Sequence, residues 1–167
     1  MLLVGIVSAT LVLTCVAIHY NTFTLLATPS DQVHLRKRWW INVTILGALL
    51  AHILEMLLFS IVYKVLSDFP GNGWIQDGNG VRSEDYWYFS FQVYTSLGFG
   101  DIVPVGNLRM MSVLETLIGL VLIAWTASFL FVEMQSWSVV HPRIGTIARV
   151  NSRRSHAHED EEDSSED

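Results

Sequence analysis

The run Ser96-Leu97-Gly98-Phe99-Gly100 has residue types that suit the coordination of an ion by backbone oxygens. Two glycines flank one aromatic residue, and glycine adopts positive φ at little energetic cost. A backbone whose conformations include positive φ at intervals can direct successive carbonyl oxygens at one axis. Several such strands around that axis could replace the hydration shell of a dehydrated cation. The chemistry predicted for this run is therefore the binding of a bare cation.

Three ionisable residues lie inside apolar stretches of the chain, where a charge is costly and marks function by default. His52 and Glu55 stand three positions apart, so one face of a helix carries both. Glu115 lies in a later apolar stretch, at a similar distance from the expected outer end of its helix, so the two carboxyls could meet. Three interpretations stay open for this polar cluster: a clasp between helices, a proton sensor that uses the histidine, and a metal site.

The composition indicates a bilayer as the solvent of these residues. Hydrophobic residues make up 51% of the chain and the mean hydropathy is +0.39, which is high for a soluble domain. The apolar residues fall into three blocks, 1–20, 41–66 and 107–132, each near the roughly 20 residues that a spanning helix needs. We expect an all-α membrane protein with three transmembrane helices per subunit. The first block has no basic start and no cleavage site, which favours a retained helix over a signal peptide.

Basic residues outside the apolar blocks predict the orientation. They cluster at 36–38 and at 143–154, and both segments are expected to be cytoplasmic. The amino terminus is then outside, 21–40 is a cytoplasmic loop, and 133–167 is a cytoplasmic tail, acidic and disordered at its end. Because the first cluster runs into Trp39-Trp40 and an apolar block, it indicates a membrane edge and not a nucleic-acid surface.

The segment between the second and third blocks divides into a loop and a short helix. Residues 67–83 are rich in glycine, asparagine, aspartate and proline, which predicts an external loop. Ser83 is a candidate N-cap for an aromatic-rich pore helix over 84–95, followed by a filter over 96–101. A helix this short cannot cross a bilayer and must turn back. Re-entrant backbone is tolerated only where protein buries it or water lines it, so the organisation indicates a conduit.

The run from Thr95 to Pro104 resembles the signature T-T-V-G-Y-G-D-x-x-P of the potassium channel pore domain. Four positions match outright: Gly98, Gly100, Asp101 and Pro104. Three others carry replacements for threonine, valine and tyrosine respectively: Ser96, Leu97 and Phe99. The resemblance covers roughly 84–132. More narrowly, the chain is similar to small bacterial channels of the two-transmembrane pore type that add a helix before the outer helix.

The resemblance implies a potassium-selective channel that works as a homotetramer, with 41–132 as the pore domain. Potassium would be the permeant ion, bound by the backbone of the filter residues Ser96, Leu97, Gly98, Phe99 and Gly100. No catalytic residue and no cofactor is implied. The partners would be other copies of the chain and lipid, in a plasma membrane or a bacterial inner membrane.

Supporting roles also follow from the resemblance. Gln92 and Asp101 correspond to a pore-helix residue and an acid that hydrogen-bond behind the filter, and Tyr88 is placed to join them. Phe99 would pack against the aromatic pore helix. Gly119 falls about where an inner helix often carries a bending glycine, although small residues in spanning helices often only permit close packing.

Three rival functions remain open on the sequence. A weakly selective cation channel is compatible with the replacements in the filter. A non-conducting accessory subunit would share the fold. An intramembrane metal-dependent enzyme could use His52, Glu55 and Glu115, but the chain lacks the repeated E-x-x-H pattern of a helix-bundle metal site.

Overall fold

The computed structural model describes residues 2–27 and 37–140, and the side chains of 2–27 and 39–135. The rest of the predicted cytoplasmic loop and the predicted acidic, disordered end of the tail lie outside these described residues. Two compact units contain the described parts, 2–127 and 128–140. The elements are, in order, α1 (Leu2–Leu26), α2 (Lys37–Asp68), β1 (Ile75–Asp77), α3 (Tyr86–Tyr94), β2 (Ile102–Pro104) and α4 (Leu108–Val140).

Of the four helices in the described residues, three are long and apolar enough to cross a membrane: α1, residues 39–68 of α2 and residues 108–135 of α4. The predicted fold class, an all-α membrane protein with three spans and one short extra helix, is confirmed. The helices are longer than the apolar blocks, which corrects the bounds 1–20 and 21–40. Helix α1 continues to Leu26 because Asn21, Thr22 and Thr24 bond to backbone carbonyls four residues earlier in the helix.

Helix α1 packs against the pore-domain helices along one stripe. Its buried residues recur every three or four positions: Val4, Ser8, Leu11, Cys15, His19 and Phe23. The indole Nε1 of Trp40 donates to the Leu26 carbonyl at 3.3 Å, so the end of α1 and the start of α2 meet. The two helices therefore form an antiparallel pair.

The core of the larger unit surrounds α3. Phe59 and Tyr63 of α2, Phe89 of α3 and Leu122 of α4 are almost fully buried. Tyr63 and Phe89 pack edge to face, with ring centroids 5.0 Å apart, which suits aromatic quadrupoles. The short helix is thus held between two spanning helices, as a re-entrant segment requires.

A two-stranded antiparallel sheet joins the segment before α3 to the segment after the filter. In β1 and β2, Ile75 pairs with Pro104 and Asp77 with Ile102. Gly73, at φ +102°, lies so close to the second segment that a Cβ would be 1.8 Å from the Val105 oxygen. The predicted external loop 67–83 therefore contains a strand, since its residues pair with the chain that leaves the filter.

Residues 128–140 of α4 are helical throughout. Phe131 and Val132 expose their side chains. The helix passes the predicted end at residue 132, so the first part of the predicted tail is helix.

Candidate functional site

The filter loop, Ser96–Gly100, has a backbone that alternates in the sign of φ. Ser96, Gly98 and Gly100 have φ of 56°, 50° and 80°. In the described chain Ser96 is the one non-glycine residue with positive φ, a conformation that costs an L-residue about 1–2 kcal/mol. Strain at such a position points to function. An alternating backbone of this kind can present successive carbonyl oxygens to one axis.

Helix α3 supplies the filter loop at its carboxyl end. The helix begins at Tyr86, two residues later than predicted, and Asp85 occupies the N-cap position without a side-chain bond. The Ser83 hydroxyl instead accepts the N–H of Asp85 before the helix starts. This corrects the predicted N-cap. At the other end the Gly98 N–H donates to the Gln92 carbonyl, which folds the filter loop back on the helix.

Three side chains support the filter loop from α3 and from its far end. The Tyr88 hydroxyl donates to Asp101 Oδ2 at 2.9 Å, and the Gln92 amide approaches Asp101 Oδ1 at 3.5 Å. Gln92 Oε1 accepts the N–H of Phe99 at 3.0 Å. The structure therefore brings together Tyr88, Gln92 and Asp101, and their role in supporting a selectivity filter stays a prediction.

The same bonds set the charge state of Asp101. Loss of hydration raises the pKa of this carboxyl, but the bonds donated by the Tyr88 hydroxyl, the Gln92 amide and the Ile102 N–H lower it below its ordinary value. Asp101 is therefore a carboxylate at neutral pH, and the supporting bonds are charge-assisted.

A buried polar network lies at the carboxyl end of α3. Glu55 Oε1 pairs with His19 Nδ1 at 3.0 Å, and Glu55 Oε2 accepts the Tyr94 hydroxyl. His52 Nδ1 lies 2.9 Å from the Tyr94 oxygen and 3.4 Å from Oε2. The Nε2 atoms of both histidines face the Thr126 hydroxyl, at 2.9 and 3.1 Å. We call these five residues the His–Glu network.

The sequence interpretation missed His19, Tyr94 and Thr126 as members of this network. A signal for His19 was present: it falls on the stripe of α1 that contains Cys15 and Phe23 at helical spacing. A histidine on the buried stripe of a membrane helix needs a polar partner. Nothing comparable marks Thr126, because threonines in spanning helices commonly bond to their own helix.

Glu115 has partners of its own, apart from the His–Glu network. It is fully buried, and its carboxyl bonds to the hydroxyls of Tyr63 and Ser90. The Ser90 hydroxyl also faces the Met56 carbonyl at 2.7 Å and has one proton to give. A protonated Glu115 that donates to Ser90 satisfies every group. The structure thus brings together His52 and Glu55 of the predicted polar cluster and gives Glu115 other partners.

Gly119 packs against the carboxyl end of α3. A Cβ at this position would lie 2.3 Å from the Tyr94 carbonyl oxygen. Close packing alone therefore requires glycine here. Its role as a gating hinge stays a prediction.

The comparisons with known proteins bear on the segment that holds the filter loop. A family model described as an ion channel matches residues 51–136, more than half of the chain, from within α2 through the filter loop into α4. Helix α1 lies outside the match. Neither the curated proteins nor the solved structures gave a match. The chain, with three helices long enough to span a membrane and a re-entrant helix before its filter loop, belongs to this ion channel family.

Proposed function

We propose that the protein is a potassium-selective channel that conducts ions passively as a homotetramer. The observation that carries the proposal is the alternation of positive φ at Ser96, Gly98 and Gly100. Such a loop offers a dehydrated cation a ladder of carbonyl oxygens. Membership of an ion channel family implies a channel rather than an enzyme.

One chain alone cannot form a complete selectivity filter. One filter loop supplies one quarter of a carbonyl-lined filter, and four copies around a rotation axis complete it. Leu97 and Phe99 are 58% and 65% exposed in the single chain, although both are large and apolar. The packing of Phe99 against the aromatic pore helix stays a prediction. The neighbouring subunits of a tetramer would cover both side chains.

The orientation that follows from the basic residues is part of the proposal. The filter end of the pore domain faces outward, and the carboxyl terminus is cytoplasmic. Ser96 then forms the innermost ion position, with its hydroxyl in place of the usual threonine. The membrane would be a plasma membrane or a bacterial inner membrane.

The proposal is tested by ion flux through purified protein in liposomes. Potassium-loaded vesicles in sodium medium should show flux that barium blocks. Gly98→Ala should abolish it, because alanine disfavours the φ of 50° that Gly98 adopts.

Gly80→Ala is the matched control. Gly80 also has positive φ, 78°, and space for a Cβ, but lies between β1 and α3, away from the filter loop. Both substitutions carry the same kind of backbone cost, and Gly80→Ala should keep its flux. Equal sodium and potassium flux would favour the weakly selective cation channel. The absence of ion flux from a folded tetramer would favour the non-conducting accessory subunit. Either result would contradict potassium-selective conduction.

A further inference from the structure

The His–Glu network connects four helices within the membrane-spanning part of the protein. His19 comes from α1, His52 and Glu55 from α2, Tyr94 from the end of α3 and Thr126 from α4. His19 and Glu55 are fully buried, and His52 is 12% exposed. Two imidazoles and a carboxylate at such depth need a function or a compensating partner.

A count of protons for an ionised Glu55 shows that the network is then one positive charge short. With Glu55 ionised and both histidines neutral, each imidazole carries one N–H. The bonds to Glu55 and Tyr94 place these N–H groups on the Nδ1 atoms. Both Nε2 atoms then need a donor, and the Thr126 hydroxyl, which faces both, has a single proton. One Nε2 atom is then left without a proton to accept, and an added proton or a bound cation would make up this deficit.

A cation on the Nδ1 side removes this deficit. Both Nε2 atoms would then carry the proton and donate to the two lone pairs of the Thr126 oxygen. This is the outer-sphere hydrogen bond that metal-bound imidazoles ordinarily make.

The spacing of the donor atoms fits a small metal ion. Donor atoms of His19, His52 and Glu55 all lie within 4.8 Å of one another. His19 Nδ1 lies 3.0 Å from Glu55 Oε1, and His52 Nδ1 lies 3.4 Å from Glu55 Oε2. Each nitrogen is therefore near one oxygen of the same carboxylate, at close to the roughly 3.3 Å ligand separation of a tetrahedral site with bonds of about 2.0–2.1 Å.

We propose that His19, His52 and Glu55 bind a divalent transition-metal ion of the zinc type. Imidazole nitrogen selects such metals over calcium, magnesium or potassium, which prefer oxygen. The ion would tie α1, which lies outside the matched family segment, to α2. Its ligand Glu55 also accepts the hydroxyl of Tyr94, two residues before the filter loop. The proposal does not depend on potassium selectivity, because metal binding is measurable without ion flux.

The test is metal binding to the full-length chain in detergent. The protein is stripped with a chelator, zinc alone is added, and the retained metal is measured with the thermal stability. We expect one zinc ion per chain and a higher unfolding temperature. Cobalt as a substitute should give the visible absorption of tetrahedral nitrogen and oxygen coordination. Neither readout requires an altered protein.

Variants assign the ion to the network. His19→Gln and Glu55→Gln should abolish the cobalt spectrum, and Thr126→Val should weaken zinc binding about 10-fold to 100-fold by removing the outer hydrogen bonds. Thr14→Val is the matched control, because the Thr14 hydroxyl bonds to a carbonyl of its own helix. The measurements are repeated with His156 and His158 replaced by glutamine, since that pair could bind zinc independently.

The outcomes distinguish a network that binds a metal ion from one that holds an extra proton. A stripped protein that takes up no zinc, while its network holds one extra proton, would overturn the proposal. So would zinc binding that His19→Gln and Glu55→Gln leave unchanged. Binding that is lost in both variants and kept in Thr14→Val would support it.

Discussion

Asp101 is the charged residue that holds the end of the filter loop. Hydrogen bonds lower its pKa, so the stability that they provide is present above the ordinary aspartate pKa and lost as pH falls through the lowered value. We expect potassium flux to be insensitive to external acid down to about pH 4 and to fall below it. Flux recorded against external pH checks this.

Tyr88→Phe removes one of the donors to Asp101 without changing the shape of the ring. The pKa of Asp101 should rise toward its ordinary value, and the acid limit of the flux should move to higher pH. Asp101→Asn should show low flux at every pH. An unchanged pH profile in Tyr88→Phe would show that the filter does not depend on this bond.

Glu115 gives a second prediction at the residue scale. Because its partners fit a protonated carboxyl, Glu115→Gln should change the free energy of unfolding by less than about 1 kcal/mol. Glu115→Ala leaves the buried Tyr63 hydroxyl without its partner, while Ser90 keeps its bond to the Met56 carbonyl, and should cost about 1–3 kcal/mol. Denaturation in detergent, followed by tryptophan fluorescence, measures both. Equal losses in the two variants would indicate an ionised Glu115.

At the scale of elements, the contact between α4 and α3 depends on Gly119. Gly119→Ala places a Cβ against the Tyr94 carbonyl and must move one helix, which should cost about 1–3 kcal/mol and reduce flux. Gly5→Ala in α1 is the control, because nothing lies within 4 Å of its Cβ position. Alanine there should stabilise the helix. Thermal unfolding and flux are measured for both.

The same variant separates packing from hinge motion. A gating hinge at Gly119 predicts normal stability of Gly119→Ala with altered opening in single-channel records. Loss of stability with loss of flux supports packing.

The order of the helices was predictable from the sequence, because each apolar block is long enough to span a membrane and the aromatic-rich helix is too short to do so. Helix ends were less predictable. Thr24 was predicted to lie in a loop, but its hydroxyl bonds to a carbonyl within α1. Ser83 was predicted to be a helix N-cap, but its hydroxyl closes a turn before α3. Strand β1 was missed because three residues have no detectable alternation, and their pairing depends on the distant segment of β2.

The candidate site was predictable in its local part only. The glycines of the filter loop lie close in sequence to Tyr88 and Gln92, which are four residues apart, so this part of the site could be recognised from one short stretch. The His–Glu network joins residues more than 100 positions apart, from His19 to Thr126. Its members meet through helix packing, which cannot be predicted from the spacing of residues in the sequence.

At the scale of the whole molecule, the proposed homotetramer predicts that four filter loops form one shared site. In an equal mixture of wild-type and Gly98→Ala chains, roughly one assembly in sixteen would contain four intact filter loops. Flux per chain should fall to about that fraction if a single altered subunit disrupts the filter. Flux that falls only by half would show that each chain conducts alone.

Selective permeation of potassium is tested most directly by the reversal potential of the purified protein in a planar bilayer, with potassium on one side and sodium on the other. A reversal potential far from zero, in the direction set by potassium, is the predicted result. A reversal potential near zero with measurable current would contradict it, because it would show that the carbonyls of the filter loop do not distinguish the two ions.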